Sequence, residues 1–233
     1  VKYDSIHKRV ERILSTRFSF HGKIHYQMHE TRDINIWALT GGAASGKSMA
    51  CDLIESLVPG MVRFDSDGVV DRLLKHDRLV HRDVRQALGD EVVDADGQLD
   101  RSAMRARVFG SESDRRKMES ILHPRVRKEC LESLATACKM SAPLFLAEVP
   151  LLFESQFNFG QEWNLLVAVR KQTQLKRLQM RSGVTKEMAN TILSCQWSTE
   201  RKIEQADAVF WNEGPNNLLK IQLSRFLSTY HHE

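Results

Sequence analysis

The chain has 233 residues, 42% of them hydrophobic, 27% charged and 7% aromatic, which is long enough for one large domain and too apolar for a disordered tail. Thirty-four basic against 30 acidic side chains leave a net charge of +4, too mild to mark a nucleic-acid binder, so charge has to be read locally. Four cysteines (Cys51, Cys130, Cys138, Cys195) form no CxxC pair, pointing to reduced thiols in a cytoplasmic setting; the longest apolar stretch, 142–153, is broken by Glu148 and falls short of the roughly 20 residues that crossing a membrane needs.

Residues 1–33 hold seven Lys or Arg, four acids and four of the nine histidines. Their weak apolar patterning reads as an N-terminal extension without the apolar run of a secretory signal, and the acids argue against a transit peptide. His21, His25 and His29 fall at i, i+4 and i+8. On a helix they would line up three imidazoles, but no Cys or acidic ligand joins them, and exposed histidines at that spacing are the commoner outcome.

Beyond residue 33 short apolar runs alternate with amphipathic stretches. INIWALT at 34–40, MVRFD at 61–65, LFLAEV at 144–149, LLVAV at 165–169 and AVFW at 208–211 read as buried parallel strands. Helical patterns at 47–57, 68–76, 171–181 and 215–230 imply right-handed crossovers and a three-layer α/β/α domain over 34–233. The interval 77–142 is far longer than one crossover needs, strand-poor and rich in Arg, Glu and Leu, and is read as a helical insertion forming a lobe. No internal repeat or Gly/Pro-rich linker divides the chain.

GGAASGKS, Gly41 to Ser48, matches the phosphate-binding loop pattern GxxxxGK[ST] between a strand and a helix, where that chemistry needs it. The segment Gly41, Gly42, Ala43, Ala44, Ser45 and Gly46 would curl its backbone N–H groups around phosphates, Lys47 would reach the β and γ oxygens, and the Ser48 hydroxyl would serve Mg²⁺, with Met49 just inside the helix whose positive end faces the anion. At the end of the second strand stands DSD, Asp65 to Asp67, at the strand ends where ligands gather in such sheets. Two readings of these carboxylates stand side by side: metal and proton chemistry, or capping of the helix that starts near Gly68. In the basic stretch from Arg170 to Arg181, Arg177 and Arg181 fall at i, i+4 and would share a face directed away from Leu175 and Leu178.

From Ile34 to about Gly214 the chain resembles the dephospho-coenzyme A kinases. The likeness is carried in order by LTGGAASGKS, FDSDGVVDRLL, DGQLDRSAMRARVF, ILHPRVR, EVPLLFES, TQLKRLQMRSGVT and QWSTERKIEQADAVFWNEG. It implies a P-loop kinase core with a parallel sheet, a helical acceptor-binding insertion at 77–142 and a lid at about 171–201. The implied activity is transfer of the ATP γ-phosphoryl group to the ribose 3′-hydroxyl of dephospho-coenzyme A, with Mg²⁺. The small molecules ATP and dephospho-coenzyme A are the expected partners, with no nucleic acid and no membrane; the oligomeric state is left open, a monomer being compatible with the chain.

Carried onto matching positions, the resemblance makes Asp67 the base for the acceptor hydroxyl and Asp65, with Ser48, a metal-side group. Arg101, His123 and Arg127 become acceptor-binding residues, Arg177 and Arg181 lid arginines that act with Lys47 in catalysis, Lys202 a late basic position, and Asn212 and Gly214 a turn near the adenine. His123 considered alone would more often be a satisfied core histidine. The chain departs from the family pattern at Asp71 and Trp211, and Ala44 stands where Gly is frequent. Glu148 occupies a strand end where some P-loop enzymes keep a metal-linked acid, and Glu154 is read as structural. Competing readings are another small-molecule P-loop kinase, for nucleosides or nucleotides, and a nucleotide-binding switch, which would lack an acceptor base.

Overall fold

The computed structural model describes residues 34–181 and 183–230; the 1–33 extension and its spaced histidines lie outside the described residues. Five strands, β1 (Asn35–Thr40), β2 (Val62–Asp65), β3 (Leu144–Glu148), β4 (Trp163–Ala168) and β5 (Ala208–Trp211), form one sheet in the order β2-β3-β1-β4-β5, every pairing parallel. In register, Leu39 and Asp65 both lie beside Glu148, so the carboxyl ends of β1, β2 and β3 finish level with one another. From β1 the chain crosses to the edge strand β2, returns inward to β3 and then passes to the other side of β1 for β4 and β5; this change of side next to β1 is where open α/β sheets bind ligands.

The strands carry continuous apolar runs because both faces are covered. Alternate residues feed two separate cores: Ile36, Ala38, Phe145 and Ala147 point into one, and Trp37, Leu39, Leu144 and Leu146 into the other. The second core is closed by α1 (Lys47–Leu57) and α9 (Asn216–Tyr230), whose Phe226 meets Trp37, Trp163 and Phe210 edge to face at 5.4 Å centroid separations.

The first core is closed by α2 (Ser66–His76), α3 (Arg78–Leu88), α4 (Arg101–Gly110) and α5 (Glu112–Lys139). Helix α5 buries Met118, Leu122, Val126, Cys130, Leu134 and Ala137, a stripe at helical spacing. Asp77 caps α3 by accepting from Leu79 N at 2.8 Å and Val80 N at 3.0 Å, and Asp100 and Ser111 cap α4 and α5 in the same way. Within the interval read as a lobe, the apolar stripe is continuous with the sheet's own core.

Three short helices, α6 (Lys171–Gln179), α7 (Lys186–Ser194) and α8 (Thr199–Ile203), lie between β4 and β5. Two element bounds differ from the sequence expectation in ways that matter to the site. Helix α2 starts at Ser66 rather than 68, because the Asp65 carboxylate accepts from Asp67 N at 3.0 Å and so caps it. Helix α6 ends at Gln179 with Met180 as its cap, short of the expected 181.

Because α5 and the sheet share one core, the helical interval and the strands should unfold together. Leu134→Ala, at a side chain 2% exposed, is expected to cost about 2–5 kcal/mol and to shift the denaturation midpoints of tryptophan fluorescence and helical circular dichroism by the same amount. Separate midpoints would show two folding units.

Candidate functional site

The loop after β1 is built around backbone positions that few residues tolerate. Gly46 takes φ +98°, and a Cβ there would stand 2.1 Å from Asn212 Nδ2, so only glycine fits. Ala44 also sits in the left-handed region, at φ 57°, where a Cβ costs roughly 1–2 kcal/mol; the small side chain limits that strain. Ser45 is buried and Gly42 and Ala43 are half-buried. Gly41 follows β1 directly and is buried, and Met49 packs from the first turn of α1 against the second core.

Side chains from remote elements hold the loop's carbonyls. Lys47 Nζ donates to Gly41 O at 3.1 Å and Gly42 O at 3.2 Å. Gln174 on α6 donates to Ala43 O at 3.0 Å. Arg177, also on α6, donates to Ala44 O and Ser45 O at 3.3 Å each and to Asn212 O at 2.9 Å. Asn212 is buried and its Nδ2 donates to Ser45 O at 2.8 Å, placing its amide beneath the loop. Gly214 follows at φ +89° in the turn after β5. Gln196 Oε1 accepts from Ala43 N at 2.8 Å.

Acids cluster at the level ends of β2 and β3. Glu148 is 5% exposed; it accepts from Ser48 Oγ at 3.1 Å, from Cys51 Sγ at 3.4 Å and from Arg63 Nη2 at 2.7 Å. Burial holds the Lys47 ammonium below the ordinary lysine value, opposed by the charges of Glu148 and Asp67. Asp67, in the first turn of α2, keeps part of its surface open, yet the protein around it raises its carboxyl above the usual range; Lys47 pulls it down, and Asp65 and Glu148 push it up again. The capping reading of the acidic pair therefore belongs to Asp65, and Asp67 is the acid electrostatically coupled to the loop lysine.

A cleft of about 670 Å³ opens beside Asp67 and is walled on the α5 side by Met118, Leu122 and His123 and on the opposite side by Gln196 and Trp197. Its wall is more apolar than polar, with Asp67, His123, Glu154 and Gln196 among the polar side chains that line it, the usual make-up of a small-molecule site.

The family model for dephospho-CoA kinase matches residues 35–217. The chain belongs to the dephospho-CoA kinase family. A dephospho-CoA kinase of Geobacillus kaustophilus is 32% identical over 192 residues, spanning 82% of this chain and 94% of the relative, and one of Aggregatibacter actinomycetemcomitans is 34% identical over 175 residues, spanning 75% and 82%. A crystal structure from Thermus thermophilus superposes with a TM-score of 0.71 at 29% identity, over 85% of this chain and 98% of that one. A dephospho-CoA kinase from Campylobacter jejuni, at 21% identity and TM-score 0.59 over 84% and 96% of the two chains, shares the fold.

The other residues that the family pattern singles out are distributed unevenly about the cleft. His123 lines it together with Asp67. Arg127 lies one turn further along α5, half-buried. Arg101, the first residue of α4, binds Asp71 through both its carboxylate and, at 3.2 Å, its backbone oxygen, and Lys75 approaches the same carboxylate at 2.6 Å. The departure at Asp71 is thus an ion-pair partner for the arginine expected to meet the acceptor. Trp211 stands 43% exposed at the end of β5.

Of the two arginines expected to share a helix face, Arg177 lies within α6 and Arg181 beyond its end. Helix α6 has ended before Arg181, which is exposed and makes no ion pair among the described residues. Lys202 is 1% exposed and pairs with Glu154 at 2.8 Å while donating to Pro150 O at 3.1 Å. Gln174, Gln196 and Arg63 escaped the sequence reading, since a glutamine 131 or 153 residues from its partner leaves no local pattern to find.

Burial lowers the His123 imidazole below the ordinary 6.5, opposed by the Glu119 carboxylate. Its neutral form is therefore favoured by folding, so the stability it contributes is full above the unfolded value and declines as pH falls toward the folded one. An NMR titration should place His123 below 6.5, and Glu119→Gln should lower it further, because a stabilising anion is removed. An unchanged value would show that Glu119 does not act on the ring.

Proposed function

We propose that this chain transfers the γ-phosphoryl group of ATP to the ribose 3′-hydroxyl of dephospho-CoA, with Asp67 as the group that receives the hydroxyl proton. The observation that carries this reading is the placement of Asp67 at the junction of two features: it is coupled by charge to Lys47 of the phosphate loop and it lines the cleft that contains His123. An acid so placed would meet both reactants, which a nucleotide switch without an acceptor has no need of. The α3 to α5 interval would form the acceptor-binding side and the 171–201 segment the lid.

In this reading the nucleotide phosphates lie against the loop amides and the positive end of α1, and Lys47 exchanges its two loop carbonyls for phosphate oxygens. Arg177 works from beneath the loop, holding the carbonyls of Ala44 and Ser45 so that their neighbouring amides keep one orientation. Asp67 orients the 3′-hydroxyl toward the γ phosphorus and takes its proton, early or late along a loose transfer path. The raised carboxyl of Asp67 makes it a better proton acceptor than an ordinary aspartate.

Among the described residues no group of three His, Cys, Asp or Glu converges as a metal site. Mg²⁺ is bound differently, by one or two protein oxygens plus phosphates and water, and the hard oxygen donors at the strand ends fit it: Ser48 donates its hydrogen to Glu148, which leaves its oxygen lone pairs for a cation, and Asp65 would hold it from the strand position beside Glu148. When bound, the ion neutralises charge that develops on the β and γ oxygens.

A coupled assay of ADP release is expected to show turnover only when dephospho-CoA is present. Asp67→Asn should bind ATP normally while turnover falls about 100-fold to 10,000-fold, with no recovery at raised Mg²⁺ or Mn²⁺. Asp65→Asn should be partly rescued by metal. Rescue of the Asp67 variant instead would reverse the two assignments, and full activity in both would remove the proposed base.

A further inference from the structure

The segment that joins α7 to α8 touches the phosphate loop and the cleft at once. Gln196 Oε1 accepts from Ala43 N at 2.8 Å, and the next residue, Trp197, donates its N–H to Glu154 Oε1 at 3.0 Å. That same oxygen is held at 2.8 Å by the buried Lys202, and the second oxygen of Glu154, also buried, has no partner among the described residues. The Arg201 guanidinium covers the Trp197 ring at 3.4 Å from its centroid. Gln196, Trp197 and Glu154 all wall the cleft that holds Asp67 and His123.

Ala43 is held from both sides. Its N–H is bonded to Gln196, and its carbonyl accepts from Gln174 on α6 at 3.0 Å. Ala44, the next residue, already sits at φ 57°, a conformation that L-residues resist. A small displacement of Gln196 would therefore be felt where the loop has least freedom to absorb it. Anything seated in the cleft against Gln196 or Trp197 is one hydrogen bond away from the third residue of the loop.

We propose that Gln196 is a positioning residue that couples occupation of the acceptor cleft to the conformation of the phosphate loop. The proposal rests on the kinase reading above and assigns it a regulatory link: the acceptor, by packing on the Gln196–Trp197 segment, fixes Ala43 in its bonded orientation and so holds the amides that follow it, from Ala44 to Lys47, open toward the phosphates, which favours nucleotide binding. Coupling of this kind is reciprocal, so ATP must raise acceptor affinity by the same factor. Glu154 and Lys202 give the segment a rigid backing.

The test is a titration of a non-hydrolysable ATP analogue by calorimetry with and without dephospho-CoA. In the unsubstituted chain the acceptor should tighten analogue binding roughly 10-fold. Gln196→Met keeps the length of the side chain but cannot accept from Ala43, and its ratio should fall to near one. Gln196→Glu retains an accepting oxygen, and its ratio should stay near that of the unsubstituted chain even though its charge weakens analogue binding overall. An unchanged ratio in Gln196→Met, or the absence of coupling in the unsubstituted chain, overturns the proposal. Should Gln196→Met fail to fold, amide exchange in the unsubstituted chain decides: dephospho-CoA alone should slow exchange at Ala43, and no change there counts against the link. Failure of the kinase reading has a different signature, namely no acceptor-dependent ADP release in any form of the protein.

Discussion

A loop that binds phosphates through its backbone has to keep several of its N–H groups open even where one, that of Ala43, is held by Gln196, and its carbonyls must then find partners elsewhere. In this chain the carbonyls of Gly41, Gly42, Ala43, Ala44 and Ser45 are taken by Lys47, Gln174, Arg177 and Asn212. Leaving a buried backbone acceptor without a partner costs roughly 1–3 kcal/mol, so α6 and the turn after β5 are tied to the loop by more than chain connectivity. The shape of the nucleotide site depends on residues more than 130 positions away from it in sequence.

The same constraint explains why the acids at the strand ends play different parts despite lying so close together. Asp65 is drawn into capping α2. Glu148, nearly buried, is neutralised by Arg63 and gathers the hydroxyl of Ser48 and the thiol of Cys51, an arrangement in which burial and the nearby carboxylate push the Cys51 thiol well up and leave it inert. Asp67 alone keeps a carboxylate free of cap and ion pair, facing the cleft. Three carboxylates in one site would repel one another strongly; an arginine, a lysine and a helix cap divide them so that one is left for chemistry.

Much of this was legible in the residues. The five apolar runs became the five strands with shifts of at most two residues at their ends, because a strand buried on both faces has to be apolar throughout. GGAASGKS is legible because loop chemistry is local: glycines, a lysine and a hydroxyl act within eight consecutive residues. Helix ends were less legible. Whether Asp65 or a later residue caps α2, and whether α6 reaches Arg181, turns on single hydrogen bonds worth about 1 kcal/mol, and Arg181 consequently lies beyond the helix from which Arg177 supports the loop.

The sequence by itself determined the α/β class, the phosphate loop, the acidic pair after β2 and, through its ordered motifs, the dephospho-CoA kinase family, since each is written in neighbouring residues or in a periodic pattern. Tertiary structure alone decided which of the paired aspartates faces the cleft, that Asp71 holds Arg101, that Lys202 is buried against Glu154 and that Gln174 and Gln196 grip the two sides of Ala43. These are contacts between polar side chains and groups far along the chain, and no periodicity encodes them; they exist because the parallel crossovers bring the ends of β1, β3, β4 and β5 to one edge of the sheet, where every buried polar group must find its partner among whatever the fold has delivered.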